Sequence, residues 1–228
     1  MLTTTLTDDV LTVTMDDGKR NVLTAAGCDR LCAVLEEHPD AKAIVLAGRE
    51  GAFSAGLDRG VVDAGDPEAM RTLLLAVGRC LMRWWTEPRP TVAAATGHAL
   101  AGGTLLAMAC DHSIASEQGW WGLIETQVGL ALPVFALTLA RHHVRNDRYE
   151  DLLLPGRRVD AHAAVEAGFA DEVTTAEAVV ARAQAHASTL AQLPPAAYAA
   201  TKRRLRQADA DAVLAGLEAD VAELLTAH

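Results

Sequence analysis

The sequence predicts an α/β fold followed by a helical C-terminal region. Apolar runs without charge at 43–47 and 91–95 are typical of buried strands, and amphipathic stretches with helix caps lie between them. From Asp160 onward the pattern is almost entirely helical. Strands that alternate with helices favour a sheet with parallel strands. The chain contains no repeat of fixed period and no flexible linker.

Local signals place the elements before residue 90. Apolar and polar residues alternate at 10–15, which predicts a strand, and the turn signal at 16–18 ends it. Asp66 followed by Pro67 predicts a helix start, because aspartate caps free backbone N–H groups and proline fits the first helical position. The other elements predicted here are a helix at 24–37, a buried strand at 43–47 and a loop at 48–58, and the helix after Asp66 runs to about Trp85.

A glycine-bearing turn at 96–104 lies between the strand at 91–95 and a buried helix at 103–110. The first N–H groups of a helix have no partner within the helix, and glycine lets a ligand approach them, so the turn is a candidate anion or oxyanion site. Tight packing of strand on helix is the alternative reason for the glycines. Gly103 stands where a nucleotide-binding phosphate loop needs lysine, which disfavours that site. A strand at 112–115 and a loop at 120–130 follow.

Beyond residue 130 we predict helices at 133–143, 160–168 and 176–193, another opened by Pro194-Pro195, and a last one beginning at Asp209. Four cations of this region are expected on a solvated helix face: Lys202, Arg203, Arg204 and Arg206. An apolar stripe fits either a subunit interface or packing on the protein's own core: Val213, Leu217, Val221, Leu224 and Leu225.

Composition excludes several classes of protein. The net charge of −10 argues against nucleic acids and anionic membranes as partners. No apolar run reaches membrane-spanning length, and the Thr-rich, acidic start at 1–9 is unlike a secretory signal, so we expect a cytoplasmic protein. The four cysteines have neither disulfide nor zinc spacing, so we expect no metal site.

Four motifs, in this order and spacing, resemble the crotonase superfamily of enoyl-CoA hydratases and isomerases over nearly the whole chain. They are MDDGKRNVL at 15–23, AFSAGLD at 52–58, GHALAGGTLLAMACD at 97–111 and AVEAGFADEV at 164–173. The resemblance implies a crotonase (ClpP-like) spiral of ββα turns at 1–154 that binds acyl-CoA. It also implies a helical region at 155–228 that drives assembly into trimers or hexamers. Coenzyme A would enter as part of the substrate, with no separate cofactor.

The resemblance also assigns binding roles. The backbone N–H groups of Leu57 and Gly102 would form an oxyanion hole for the thioester oxygen, where one such donor is worth about 3 kcal/mol. Lys19 and Arg20 would contact the CoA phosphates, and carbonyls near Ala55 and Leu57 would meet the adenine amine. Asp58, in the same segment, would also contact the CoA substrate. A solvated pair at 19–20 and a loop cap at Asp58 are the alternatives.

The acid–base residues distinguish the possible reactions. The resemblance implies that a hydratase of this family needs two catalytic glutamates. In this sequence Leu105 occupies the position of the first glutamate, and Glu125 matches the second. A single glutamate in the loop GLIETQVG at 122–129 resembles the 3-enoyl-CoA to 2-enoyl-CoA isomerases. The apolar neighbours Leu123 and Ile124 are expected to raise the pKa of Glu125, which suits a proton shuttle. A local cap is the alternative role.

Two other functions stay open. A hydratase would need a replacement carboxylate, and the nearest in sequence, Asp111 and Glu117, do not match the required spacing. An acyl-CoA binding protein without activity would use the same glycine loops and leave Glu125 idle. A serine hydrolase is disfavoured, because Ser54 does not lie in a Gly-x-Ser-x-Gly turn.

Overall fold

The computed structural model describes residues 1–226 and contains two sheets. The larger has six strands in the order β1-β2-β3-β5-β7-β10, and the smaller has four in the order β4-β6-β8-β9. Their bounds are β1 (Leu2–Thr7), β2 (Val10–Met15), β3 (Ala43–Ala47), β4 (Gly51–Ser54), β5 (Thr91–Ala95), β6 (Gly97–Leu100), β7 (His112–Ser116), β8 (Trp120–Gly122), β9 (Val159–Asp160) and β10 (Glu172–Thr174).

Helices pack on both sheets, and residues Glu125–Val128 form a short 3₁₀ turn. The α-helices are α1 (Ala25–Glu37), α2 (Arg59–Ala64), α3 (Pro67–Trp85), α4 (Gly102–Met108), α5 (Val134–His143), α6 (Tyr149–Leu153), α7 (Ala161–Ala167), α8 (Val179–Leu190) and α9 (Pro195–Thr226). None of these helices is long and apolar enough to cross a membrane.

Consecutive strands divide between the two sheets, which confirms the predicted spiral of ββα turns. In each of the pairs β3–β4, β5–β6 and β7–β8, the first strand joins the larger sheet and the second joins the smaller one. The shared register runs from Val13 through Leu46 and Ala93 to Ser113 across the larger sheet. Because β4, β6 and β8 are parallel neighbours, their carboxyl ends lie side by side.

The larger sheet is covered on both faces, as the uncharged strands predict. Val45, Val92 and Ile114 pack against α8 on one face. Alternate residues such as Ile44 and Leu46 face the main core beneath α1, α3 and α4 on the other face. Parallel strands covered on both sides need apolar residues at every position, and this explains why 43–47 lacks any polar side chain.

The helix caps confirm the starts predicted from local signals. The Thr24 side chain accepts the N–H of Gly27 at the start of α1. Asp66 accepts the N–H groups of Glu68 and Ala69 at the start of α3. These caps satisfy donors that the helix itself leaves free.

Six strands lie in segments where no strand was predicted: β1, β4, β6, β8, β9 and β10. β1 is a threonine-rich edge strand whose residues are mostly exposed, so it lacks the apolar face that marks a strand in sequence. β4, β6 and β8 have three or four residues each, and β4 and β6 pair across 45 or more positions. Such pairing leaves no local periodicity to read.

The prediction of two helices after residue 194 is wrong. α9 is one helix of 32 residues, and Asp209 lies inside it. The Asp209 side chain does not cap a helix. It contacts His142 of α5, with 2.8 Å between Oδ2 and Nε2. A contact to another helix thus replaces the predicted cap.

The prediction of a fully solvated cationic face is also wrong for two of its members. Lys202 is 5% exposed, and its Nζ lies 2.6 Å from Oδ2 of Asp111. Arg206 reaches the other carboxylate oxygen at 2.7 Å, and the Tyr198 hydroxyl donates to the same group. This buried cluster fixes the first half of α9 to Asp111, which lies between α4 and β7. Arg203 and Arg204 are exposed, as predicted.

The apolar stripe of α9 packs on the protein's own core. Val213, Leu217 and Val221 are buried in the main apolar cluster. Leu224 and Leu225 are half-buried and line a cavity beside α3 and α5. The division at residue 154 and the assembly into trimers or hexamers stay predictions. Strands β9 and β10, which follow residue 154, belong to the two sheets.

Candidate active site

The ends of three adjacent strands bring together the residues predicted for chemistry. Leu57 follows β4, Gly102 opens α4 directly after β6, and Glu125 follows β8. All three line one cavity of about 40 Å³. Because the carboxyl ends of parallel strands meet at one edge, residues far apart in sequence become neighbours there.

Backbone pairing turns the amide of Leu57 away from the protein's own acceptors. The segment 20–23 runs alongside 55–58, where Leu23 donates to the Gly56 carbonyl at 2.8 Å and Asp58 donates to the Leu23 carbonyl at 3.1 Å. In a parallel bridge of this kind, the residue between these two bonds points its N–H to the other side. Within residues 1–226, the Leu57 N–H has no backbone or side-chain acceptor, so it is free to bind a ligand.

The Gly102 amide opens α4, where no helical acceptor is available to it. Gly56 has a φ of +87°, and a Cβ atom at that position would lie 3.0 Å from the Gly102 nitrogen. The preceding Ala101 has a φ of +51°, a strained value for a residue with a side chain. The two loops therefore meet backbone to backbone, which brings the predicted pair of N–H donors to the same cavity.

The carboxyl group of Glu125 is buried and incompletely bonded. The residue is 6% exposed, and within the described part of the chain its Oε2 atom has no hydrogen-bond partner. Burial raises the pKa of this carboxyl from 4.5 to about 7, because the charged form loses its hydration. A group that titrates near neutral pH can both take up and release a proton during a reaction.

The remainder of the cavity is apolar. Leu105, at the position of the first hydratase glutamate, lines it together with Leu57 and Gly102. Among residues 1–226, Glu125 is the sole titratable side chain in this lining. The other lining residues are Met70, Leu74, Val77, Leu130, Ala131, Pro133, Phe135, Leu224 and Leu225.

The two carboxylates nearest in sequence do not replace the missing glutamate. Asp111 is held by Lys202 and Arg206, and Glu117 is exposed after β7. Neither lines the cavity. The described residues thus offer one acid–base group to a molecule bound there.

A residue that the sequence reasoning missed connects the two halves of the site. The Thr104 hydroxyl donates to the Ala99 carbonyl at 2.6 Å and accepts the N–H of Gly122 at 3.1 Å. Ala101 also donates to the Gly122 carbonyl at 2.8 Å. These bonds fasten the start of α4 to the end of β8, so the amide of Gly102 and the segment carrying Glu125 move together. The one sequence signal for this role of Thr104 was its hydroxyl group, which stands in an otherwise apolar helix.

Except for Leu57, which lines the apolar cavity, the residues predicted to contact CoA lie outside it. Lys19, Arg20 and Ala55 line a separate, open cavity of about 470 Å³. The Ala55 N–H donates to the Arg20 carbonyl at 2.9 Å, so these two segments are in direct contact. Sequence reasoning gave no binding role to the other residues that line this cavity, among them Arg49, His98, Trp120 and Arg158.

Asp58 caps a helix, as the alternative to a binding role predicted. Its side chain accepts the N–H of Gly60 at 2.8 Å and caps α2. It lines a third cavity, which Lys19 also borders. A contact between Asp58 and CoA stays a prediction.

These features define a class of enzyme. Free amide donors beside a buried carboxylate, in a spiral of ββα turns, are suited to thioester chemistry through an enolate-like anion. A family model described as enoyl-CoA hydratase/isomerase matches residues 5–226. The chain therefore belongs to the enoyl-CoA hydratase/isomerase family.

Individual relatives carry both activities in their names. A Thermus thermophilus protein with the provisional name enoyl-CoA hydratase is 36% identical over 175 residues, which is 75% of this chain and 68% of the relative. A solved structure of a Mycobacterium tuberculosis protein is 30% identical with a TM-score of 0.92, over 97% of this chain and 98% of that one; it is described as an enoyl-CoA isomerase, and a second structure of the same protein is described as an enoyl-CoA hydratase. Human mitochondrial delta3-delta2-enoyl-CoA isomerase shares the fold, with 24% identity and a TM-score of 0.94 over 99% and 90% of the two chains.

Proposed function

We propose that this protein converts 3-enoyl-CoA to 2-enoyl-CoA and that Glu125 is its proton carrier. The observation that carries the proposal is the single carboxyl group in an otherwise apolar cavity, with Leu105 at the position of a second one. Adding water across a double bond requires one group to activate the water and another to supply a proton. Moving a double bond by one position requires only a group that takes a proton and gives it back.

The proposed reaction uses three groups. The thioester oxygen accepts hydrogen bonds from the N–H groups of Leu57 and Gly102, and the Glu125 carboxylate removes a proton from C2. The electron pair of that C–H bond then spreads over the dienolate, whose charge on oxygen the two amides stabilise. Glu125 returns the proton to C4, so substrate and product have the same composition. Coenzyme A takes part as a portion of the substrate, and the reaction needs no other cofactor.

The open cavity beside the site is the proposed place for the phosphates of CoA. Lys19, Arg20 and Arg158 border it, and Trp120 presents an exposed ring there. Cations in such a position attract phosphate groups, and an exposed indole offers a flat surface to a base. These residues would hold the nucleotide end while the acyl group enters the apolar cavity.

Hydration is the second candidate, because the Thermus thermophilus relative is named as a hydratase. For this chain, hydration would have to proceed with Glu125 alone or with a group supplied from outside the described residues. A protein that only binds acyl-CoA is the third alternative.

The test compares the wild type with Glu125→Gln on 3-hexenoyl-CoA and on 2-hexenoyl-CoA. We expect isomerisation of the first substrate, negligible hydration of the second, and a loss of isomerisation on the order of 10²–10⁴-fold in the variant. Glu117→Gln is the matched control, since Glu117 is exposed and lies outside the cavity. Rapid hydration of 2-hexenoyl-CoA would replace the proposal with a hydratase. CoA binding without turnover would favour the binding protein.

A further inference from the structure

The last turns of α9 supply part of the wall of the apolar cavity. Leu224 and Leu225 line the cavity together with Leu57 and Gly102. Met70 and Leu74 of α3 form the adjacent side. An acyl chain that extends from the amide donors past Glu125 therefore meets the side chains of α9.

Polar contacts hold this part of α9 to both neighbouring helices. Glu218 pairs with Arg71 of α3 and, at 3.2 Å, with Arg79 of the same helix. Asp220 accepts the N–H of Val134 at 2.8 Å and so satisfies a free donor at the start of α5. The wall is thus fastened on two sides just before the residues that line the cavity.

The three helices around the cavity pack closely where α9 approaches it. A Cβ atom on Gly78 of α3 would lie 2.8 Å from the Leu217 side chain and 3.0 Å from that of Phe135. These three residues come from α3, α9 and α5, so the three helices are in contact there.

The size of the cavity sets the length of acyl chain that it accepts. Its volume of about 40 Å³ admits roughly three groups the size of a water molecule, which is also the approximate size of a methylene. Beyond the reacting atoms C2 to C4, this volume admits at most about three more carbons, so a chain much longer than six carbons does not fit. We infer that Leu224 and Leu225 limit the enzyme to short acyl chains of about six carbons or fewer. The inference rests on the proposed isomerisation.

The experiment measures kcat/KM for 3-butenoyl-, 3-hexenoyl-, 3-octenoyl- and 3-decenoyl-CoA. For the wild type we expect at least about a tenfold fall from the six-carbon to the ten-carbon substrate, since a single methylene that does not fit a pocket can cost that much. The variant Leu224→Ala/Leu225→Ala should raise the ratio of ten-carbon to six-carbon kcat/KM by about tenfold or more. Leu214→Ala, an exposed leucine of the same helix, should leave that ratio unchanged.

A second variant that makes the cavity smaller keeps the test valid if the double variant fails to fold. Leu225→Phe should lower kcat/KM for 3-hexenoyl-CoA more than for 3-butenoyl-CoA, because it reduces the cavity. Equal rates at all chain lengths, or ratios that neither substitution moves, would overturn the wall assignment and leave the isomerase proposal standing. Absence of isomerisation with every substrate in the series would instead overturn the proposed function.

Discussion

Replacing Glu125 with glutamine should stabilise the protein at pH 8 and have a much smaller effect at pH 5. The pKa of this carboxyl is about 7 in the folded protein and near its usual value of 4.5 in the unfolded chain. Between these two values the folded state binds the proton and the unfolded state does not. The free energy of unfolding of the wild type therefore decreases as pH rises through this window.

The magnitude follows from the difference between the two pKa values. Each unit corresponds to 1.36 kcal/mol, so the stability lost between pH 4.5 and pH values above 7 is about 3 kcal/mol. Glutamine has nearly the same shape but does not ionise. Because the unfolded carboxyl is already largely ionised at pH 5, we expect the stability gained from Glu125→Gln to be about 2.5 kcal/mol larger at pH 8 than at pH 5.

Urea unfolding of wild type and variant at both pH values measures this quantity. The matched control is again Glu117→Gln, whose exposed carboxyl should give the same difference in stability at pH 5 and pH 8, within about 0.5 kcal/mol. If Glu125→Gln also gave equal differences at the two pH values, the carboxyl would not be desolvated, and the argument for a proton carrier with a raised pKa would fail.

Two further substitutions test the backbone of the site and the anchoring of α9. Gly56→Ala should lower kcat/KM for isomerisation by about 10²–10³-fold. The added Cβ would lie 3.0 Å from the Gly102 nitrogen and displace this oxyanion donor. Unchanged activity in a folded variant would contradict the predicted role of the Gly102 amide. Lys202→Met should lower the free energy of unfolding by about 3 kcal/mol, since it leaves Asp111 with fewer buried partners. Arg203→Met, at an exposed neighbour, should change it by less than about 0.5 kcal/mol, and similar losses in both variants would refute a special role for Lys202.

The sequence predicted the elements whose signals are local. Thr24 and Asp66 mark helix starts because capping depends on residues within one turn. The strands of the smaller sheet were missed because two to four residues carry no recognisable period, and their stability comes from partners distant in sequence. Lys202 was placed on a solvated face because its partner, Asp111, lies 91 positions away.

The candidate site likewise has features that the sequence predicted and features that only the structure shows. Resemblance to known motifs located Leu57, Gly102 and Glu125, and the structure places all three around one cavity. The unpaired Oε2 atom of Glu125 and the bonds of Thr104 could not be predicted, because both depend on how β8 meets α4 in three dimensions. The wall formed by Leu224 and Leu225 likewise depends on the path of α9 across the protein.

The position of that wall has a consequence for synthesis of the protein. Leu225 is synthesised 100 residues after Glu125, which at typical elongation rates corresponds to a delay of roughly 5–20 s. During this interval the amide donors and Glu125 already exist in the nascent chain, but the cavity lacks one side. A growing chain therefore cannot shield a bound acyl group from water, and the site is completed only when the final turns of α9 dock.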